Sequence, residues 1–170
     1  MSTDLKTNAT ATVTDHVDDM GGIVTVEVIR DGKTGPEVIQ RVQAHNLILN
    51  TGKRQTWRQA MTLNAKQWQY MRIGTGTTAA NSGQTNLVSP VTGTLKTCTT
   101  ITLLSGTRTA QWVISYPSGA GTKSATNIQE VVLMNQHTSP GGSALMRTLF
   151  TAVSKSTKDK IRLTYSARIT

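Results

Sequence analysis

Near the C-terminus Ile161, Leu163, Tyr165, Ala167 and Ile169 alternate with Arg162, Thr164, Ser166 and Arg168. Successive side chains of a strand point to opposite faces, so this segment has one apolar and one polar face only if it is extended. Shorter stretches repeat the pattern. Ile23–Arg30 places Val24, Val26 and Val28 together, and the turn cluster Asp31–Pro36 leads into a second extended run over Glu37–Val42, so 23–42 reads as a hairpin. Trp68–Ile73 is extended. Thr94–Leu104 alternates with Leu95, Thr97, Thr99, Ile101 and Leu103 on one face, and Thr107–Tyr116 answers with Ala110, Trp112, Ile114 and Tyr116. Asn127–Asn135 and Ser143–Val153 follow as two more strands. The chain holds 30 threonines, and a β-branched side chain favours a pleated strand over a helix. One short helix is expected over 51–63, after the short apolar run Leu47-Ile48-Leu49, capped by Asn50 or Thr51, with Trp57, Ala60 and Met61 on one side. No fixed-period repeat argues for a propeller or solenoid. The expected fold is all-β: an antiparallel β-sandwich, jelly-roll-like, with one short helix and an extended N-terminal arm.

With 170 residues, one domain can bury about 70% of the surface its unfolded chain exposes. Residues 1–22 read as a polar arm, because Leu5, Val13, Val17 and Met20 are its only larger apolar residues; Gly21-Gly22 reads as a flexible joint, and 23–170 as the sandwich. No 18-residue apolar run marks a membrane span, and the acids Asp4, Asp15, Asp18 and Asp19 argue against a secretory leader. The single cysteine, Cys98, gives no disulfide framework within one chain and fits a reducing cytoplasm. Charge is uneven. Residues 1–40 hold three bases against seven acids, a net −4, and residues 41–170 hold fifteen bases against two acids, a net +13. An acidic end is therefore expected to meet a basic body, in cis or on a neighbouring copy, with Asp15, Asp18 and Asp19 as candidate assembly contacts.

The motifs that usually carry chemistry fail on context. Gly74-Thr75-Gly76-Thr77-Thr78-Ala79 has the glycine spacing of a dinucleotide fingerprint, but no helix opens behind it and no acid follows about 20 residues on. Gly32-Lys33 and Gly52-Lys53 lack the earlier glycine of a phosphate loop. His16, His45 and His137 have no ligand at zinc spacing, and a solvated polar tail explains His16 beside Asp18 and Asp19 better than a metal does. Gly142-Ser143-Ala144 is no nucleophile elbow, and Cys98 within a strand reads as a buried thiol. Lys53, Arg54 and Arg58 beside Trp57 are the best nucleic-acid candidate, yet seven aromatic residues give no stacking platform. Neither an enzyme nor a cofactor is expected. Glu130, the only acid between 41 and 158, is expected to pair with Arg147 on the next strand, in a structural role.

Three segments carry a resemblance. They are Asn46–Gly52 before the helix; Met71-Arg72-Ile73-Gly74-Thr75-Gly76-Thr77-Thr78-Ala79-Ala80-Asn81 running on to Thr85-Asn86-Leu87; and Ile128–Asn135 followed by Leu145–Phe150 and the final alternating strand. In this order they resemble a group of small structural proteins of tailed bacteriophages, often described as tail or tail-fibre proteins. The likeness covers roughly 46–170, and departs at Ala80, where relatives tend to have Pro, and at Val132, where they tend to have Gly. It implies a non-enzymatic virion component, made in the host bacterial cytoplasm, whose partners are copies of itself and other virion proteins. A tail, fibre or baseplate position is the first expectation and a capsid decoration protein the second, with a basic nucleic-acid-binding module as the alternative of another kind. No small-molecule substrate, membrane contact or specific nucleic-acid binding is expected.

Overall fold

The computed structural model describes residues 20–61, 67–118, 127–135 and 143–169. Among these residues ten strands and one α-helix follow in the order β1 (Met20–Gly32), β2 (Gly35–His45), β3 (Leu47–Ile48), α1 (Asn50–Met61), β4 (Tyr70–Gly74), β5 (Lys96–Thr97), β6 (Thr100–Leu104), β7 (Thr109–Tyr116), β8 (Ile128–Met134), β9 (Ala144–Val153) and β10 (Asp159–Ile169), with a short 3-10 turn at Ser105–Thr107 between β6 and β7. They build two five-stranded antiparallel sheets. Sheet A has the order β2-β1-β10-β7-β6 and sheet B the order β3-β9-β8-β4-β5. Pairs between early and late strands nest: β1 with β10, β3 with β9, β4 with β8, and innermost β6 with β7.

The core lies between the sheets. Sheet A supplies Val24, Val26 and Val28 from β1, Ile161, Leu163 and Tyr165 from β10, and Ile114 and Tyr116 from β7. Sheet B answers with Met71, Ile73, Val131, Leu133 and Met146. The alternation that defines β10 places Leu163 and Tyr165 inside and Arg162 and Arg168 in solvent. Three polar tips fix the sheets against each other. Trp112 Nε1 donates to the Trp68 carbonyl at 2.8 Å, Tyr116 Oη to the Met71 carbonyl at 3.1 Å, and Tyr165 Oη lies 2.6 Å from Thr148 Oγ1. Each satisfies a polar group that burial would otherwise penalise.

Sheet B is buried on both faces. Its outer face is covered by α1 and the long connection between β4 and β5, over a second apolar cluster of Leu49, Leu87, Val132, Met134 and Ala144. The helix is seated by its first turn: Thr51 Oγ1 donates to the Ala144 carbonyl at 3.1 Å, and a Cβ on Gly52 would fall on the backbone of Leu145. Met61, at the far end, is 81% exposed.

Two expectations need correcting. Gly21-Gly22 is no joint: both residues lie within β1, opposite Arg168 and Ala167 of β10. Gly22 is required by close approach, since a Cβ there would lie 2.6 Å from both Asn46 Oδ1 and the Ser166 carbonyl oxygen. The run Thr94–Leu104 is not one strand but two. Cys98 N donates to the Gln69 carbonyl at 2.7 Å, closing the sheet B pairing, and Thr99 N donates to the Val113 carbonyl at 2.7 Å, opening the sheet A pairing. The chain changes sheets between these two residues and drops Cys98 into the core. Alternation is blind to such a transfer, because both halves keep period two.

Candidate functional site

The most elaborate polar arrangement lies on the outer face of sheet B. Register sets Val132 of β8 opposite Arg147 of β9, and Glu130 opposite Leu149, so Glu130 and Arg147 are diagonal neighbours on one face. Both side chains are fully buried. Arg147 Nε and Nη2 donate to Glu130 Oε2 at 2.9 and 2.7 Å. The guanidinium then reaches into the covering loop, with Nη1 donating to Gln84 Oε1 at 2.9 Å and Nη2 to the Thr78 carbonyl at 3.0 Å.

Glu130 turns the same loop inward. Its Oε1 accepts the backbone N–H of Gly76 at 3.0 Å and of Ser89 at 2.8 Å, and its Oε2 accepts that of Val88 at 3.1 Å. Burial alone would raise the carboxyl pKa, but the N–H groups of Ser89, Val88 and Gly76 together with Arg147 outweigh it and hold Glu130 below the usual carboxylate range. Two chain segments, 76–78 and 84–89, are thereby clasped to one ion pair. Further bonds close the loop on its frame. Thr75 N donates to the Ser89 carbonyl, Val91 N to the Ile73 carbonyl, and Asn50 N, at the start of α1, to the Ser82 carbonyl.

This geometry explains the Ile-Gly-Thr-Gly-Thr-Thr segment. A Cβ on Gly76 would stand 2.6 Å from Glu130 Oε1, and one on Gly74 would meet the same oxygen. The glycines make room for a carboxylate of the chain itself. The inward N–H groups form an anion nest whose anion is Glu130, so a pyrophosphate there would displace a buried, ion-paired side chain. Outward, the loop shows Thr77, Thr78, Ala79, Asn81, Ser82, Thr85, Val88 and Ser89, a rim of small residues that carries no charge.

A second cluster was missed by sequence reasoning. Glu27 of β1 sits on the outer face of sheet A, directly between Arg41 of β2 and Arg162 of β10. Arg41 Nε donates to its Oε1 at 2.9 Å and Arg162 Nε to its Oε2 at 2.7 Å. Partial burial opposes ionisation, but the two guanidinium groups prevail and lower the Glu27 pKa. Lys160 bonds Asp31, so both acids of β1 are paired with bases of neighbouring strands, and Arg30 of β1 in turn bonds Asp159 of β10. The signal was present as acids and bases on alternating strands, but only the β1–β10 register makes them neighbours. Asp15, Asp18 and Asp19 lie outside the described residues. The Cys98 thiol is pushed up to about 12 by burial, which leaves it protonated and a poor nucleophile. Among the described residues no cluster of three His, Cys, Asp or Glu could hold a metal ion, and no helix is long and apolar enough to cross a membrane.

No family model matches the chain, and no curated protein or solved structure shows significant similarity to it.

Proposed function

We propose that this chain is a non-enzymatic structural subunit of a tailed-bacteriophage particle, placed on the tail, its fibre or its baseplate. It joins copies of itself and other virion proteins by protein–protein contacts that include the N-terminal segment with Asp15, Asp18 and Asp19. One observation carries the reading. The segment most specific to the resemblance, Ile73–Thr78, is clasped by the buried Glu130–Arg147 pair into the cover over sheet B. The charged groups best suited to chemistry are spent on holding a shape, and what that shape offers outward is a small-residue rim suited to close contact with another protein.

The test is quantitative mass spectrometry of purified phage particles released by cells whose genome or prophage encodes the chain. A stoichiometric band at tail-like copy number is expected. A copy number on the scale of the capsid shell would move the protein to a head-decoration role, and absence from particles would refute the reading. Titration with short DNA tests the alternative of another class. Non-specific binding that collapses between about 50 and 200 mM salt is the behaviour of a basic surface, and tight, sequence-dependent binding would overturn the structural role.

A further inference from the structure

Sheet edges expose unpaired backbone groups, and stable proteins blunt them with short strands, charges or proline. Three of the four edges here are blunted. β3 and β5 have two residues each, and β2 carries Pro36, Glu37 and Arg41. The fourth is β6, Thr-Ile-Thr-Leu-Leu, five residues with no charge and no proline, and all five are exposed. Among the described residues nothing pairs with its outer side. Ile101 stands opposite Trp112, and Leu103 opposite Ala110, on the face that elsewhere packs against sheet B. Sheet B does not extend over them, and they are 48% and 72% exposed. An uncovered apolar stripe beside an open backbone edge has the form of a strand acceptor.

Outside the described residues the sequence offers one matching donor. Residues 62–66, 119–126 and 136–142 each contain glycine, proline or lysine, all poor strand formers. Residues 9–14, Ala-Thr-Ala-Thr-Val-Thr, alternate without charge, as β6 does, and are about as long. Ala9, Ala11 and Val13 would extend the apolar stripe of Ile101 and Leu103, and Thr10, Thr12 and Thr14 the opposite face with Thr100 and Thr102.

Direction decides whose segment it is. Residues 1–19 enter sheet A at Met20, which pairs with Ile169. Arg168 pairs with Thr109, and Thr109 with Leu104, so β6 ends at the same end of the sheet. A strand added outside β6 would start there four strand spacings from β1, about 19 Å away, within reach of the chain's own residues 15–19 when extended. Laid along β6, however, that segment would run parallel to it, whereas every described strand pair is antiparallel, and parallel pairs are slightly less stable per residue. A neighbour's segment is free to run antiparallel. We infer that β6 is the acceptor for residues 9–14 of a second copy of this chain, which add a sixth strand to sheet A. The inference rests on the structural-subunit reading and names its contact.

The test uses the full chain. Thr12→Cys in one preparation and Thr102→Cys in another, both with Cys98→Ala, are mixed and treated with a thiol crosslinker long enough to span a two-residue register shift. A covalent heterodimer is expected, blocked when the acceptor also carries Leu103→Asp. Leu103→Asp should weaken self-association seen by sedimentation about tenfold or more while leaving the far-ultraviolet circular dichroism and melting temperature in place, because Leu103 is exposed. Three results would overturn the inference: crosslinking only within a chain that carries both cysteines, association unchanged by Leu103→Asp, or a wild-type chain that stays monomeric and uncrosslinked at high concentration. Deleting residues 2–19 separates the two levels. If the deletion abolishes association and Leu103→Asp does not, β6 is wrong and arm-mediated assembly stands. If neither matters, arm-mediated assembly fails as well.

Discussion

Replacing Arg147 with Met tests the clasp most directly. Methionine keeps much of the aliphatic volume and removes the guanidinium. Glu130 would then be left fully buried with three backbone N–H donors and no counter-charge, while Gln84 Oε1 and the Thr78 carbonyl would each lose a donor. Removing one partner of a buried ion pair costs about 3–5 kcal/mol, most of it the penalty of stranding the other charge. For a chain of this size each kcal/mol lowers the melting temperature by about 2–4 °C, so Arg147→Met should melt about 6–20 °C below wild type. The double variant Glu130→Gln/Arg147→Met should recover part of the loss, since neither charge remains; the coupling, read from urea midpoints with both single variants, should exceed about 1 kcal/mol. Hydrogen exchange gives a local readout. The amides of Gly76, Val88 and Ser89 should lose protection in Glu130→Gln more than those of β1 and β10. An Arg147→Met chain within about 1 kcal/mol of wild type, with those amides still protected, would refute the clasp as the element that holds the loop.

Gly76→Ala should destabilise by about 1–3 kcal/mol through overpacking against Glu130; a neutral result by urea denaturation would show that the loop gives way without cost. Leu163→Ala, at a fully buried position, should cost about 2–5 kcal/mol, and a loss under about 1 kcal/mol would place that residue outside the tight core. The carboxyls of Glu27, Glu130 and Asp159 all lie below their ordinary values, Asp159 chiefly through Arg30. Depressed folded values mean that this stability is present above the unfolded values near ~4 and is lost as pH falls through the lower folded ones, so the urea midpoint should hold from pH 7 to 5 and drop below about 4. A midpoint independent of pH down to 2 would contradict the assignment. Native Cys98 should react with a thiol reagent only at the rate of opening, accelerated by denaturant, and fast native labelling would place it at the surface.

The elements legible in the sequence were those whose signal is local. Period two gave β10, β7 and the β1–β2 hairpin, and Asn50-Thr51 marked the helix start within a residue of its place. Glu130 and Arg147 could be matched because a lone acid on an apolar strand needs a partner, and the adjacent strand offered one base. What stayed hidden depends on close approach in space. The glycines of 74–76 look like a phosphate motif until the carboxylate filling their nest is seen, and Gly21-Gly22 looks like a hinge until Ser166 and Asn46 are found against it. Gln84 and Thr78 carry no pattern at all, because one serves through a single amide oxygen and the other through its backbone carbonyl.

The two sheets differ in how their surfaces are finished, and the difference bears on assembly. Sheet B spends α1, the loop from Thr75 onward and a buried ion pair on covering its own outer face, and its edge strands are too short to recruit another chain. Sheet A leaves its outer face in solvent under a ladder of Arg41, Glu27 and Arg162, whose charges tolerate water and disfavour apolar contact. Among the described residues β2 also exposes apolar side chains at an open edge, Val38 and Ile39, but sets Pro36, Glu37 and Arg41 around them; β6 alone of the longer edge strands carries neither charge nor proline. A chain selected only to stay soluble as a monomer would be under pressure to blunt that strand as it has blunted β2, and a single lysine in place of Leu103 would serve, since nothing in the core depends on a side chain that is 72% exposed. Leaving it apolar is consistent with a surface kept for a partner, and the cheapest partner to supply in register and in stoichiometry is another copy of the same chain.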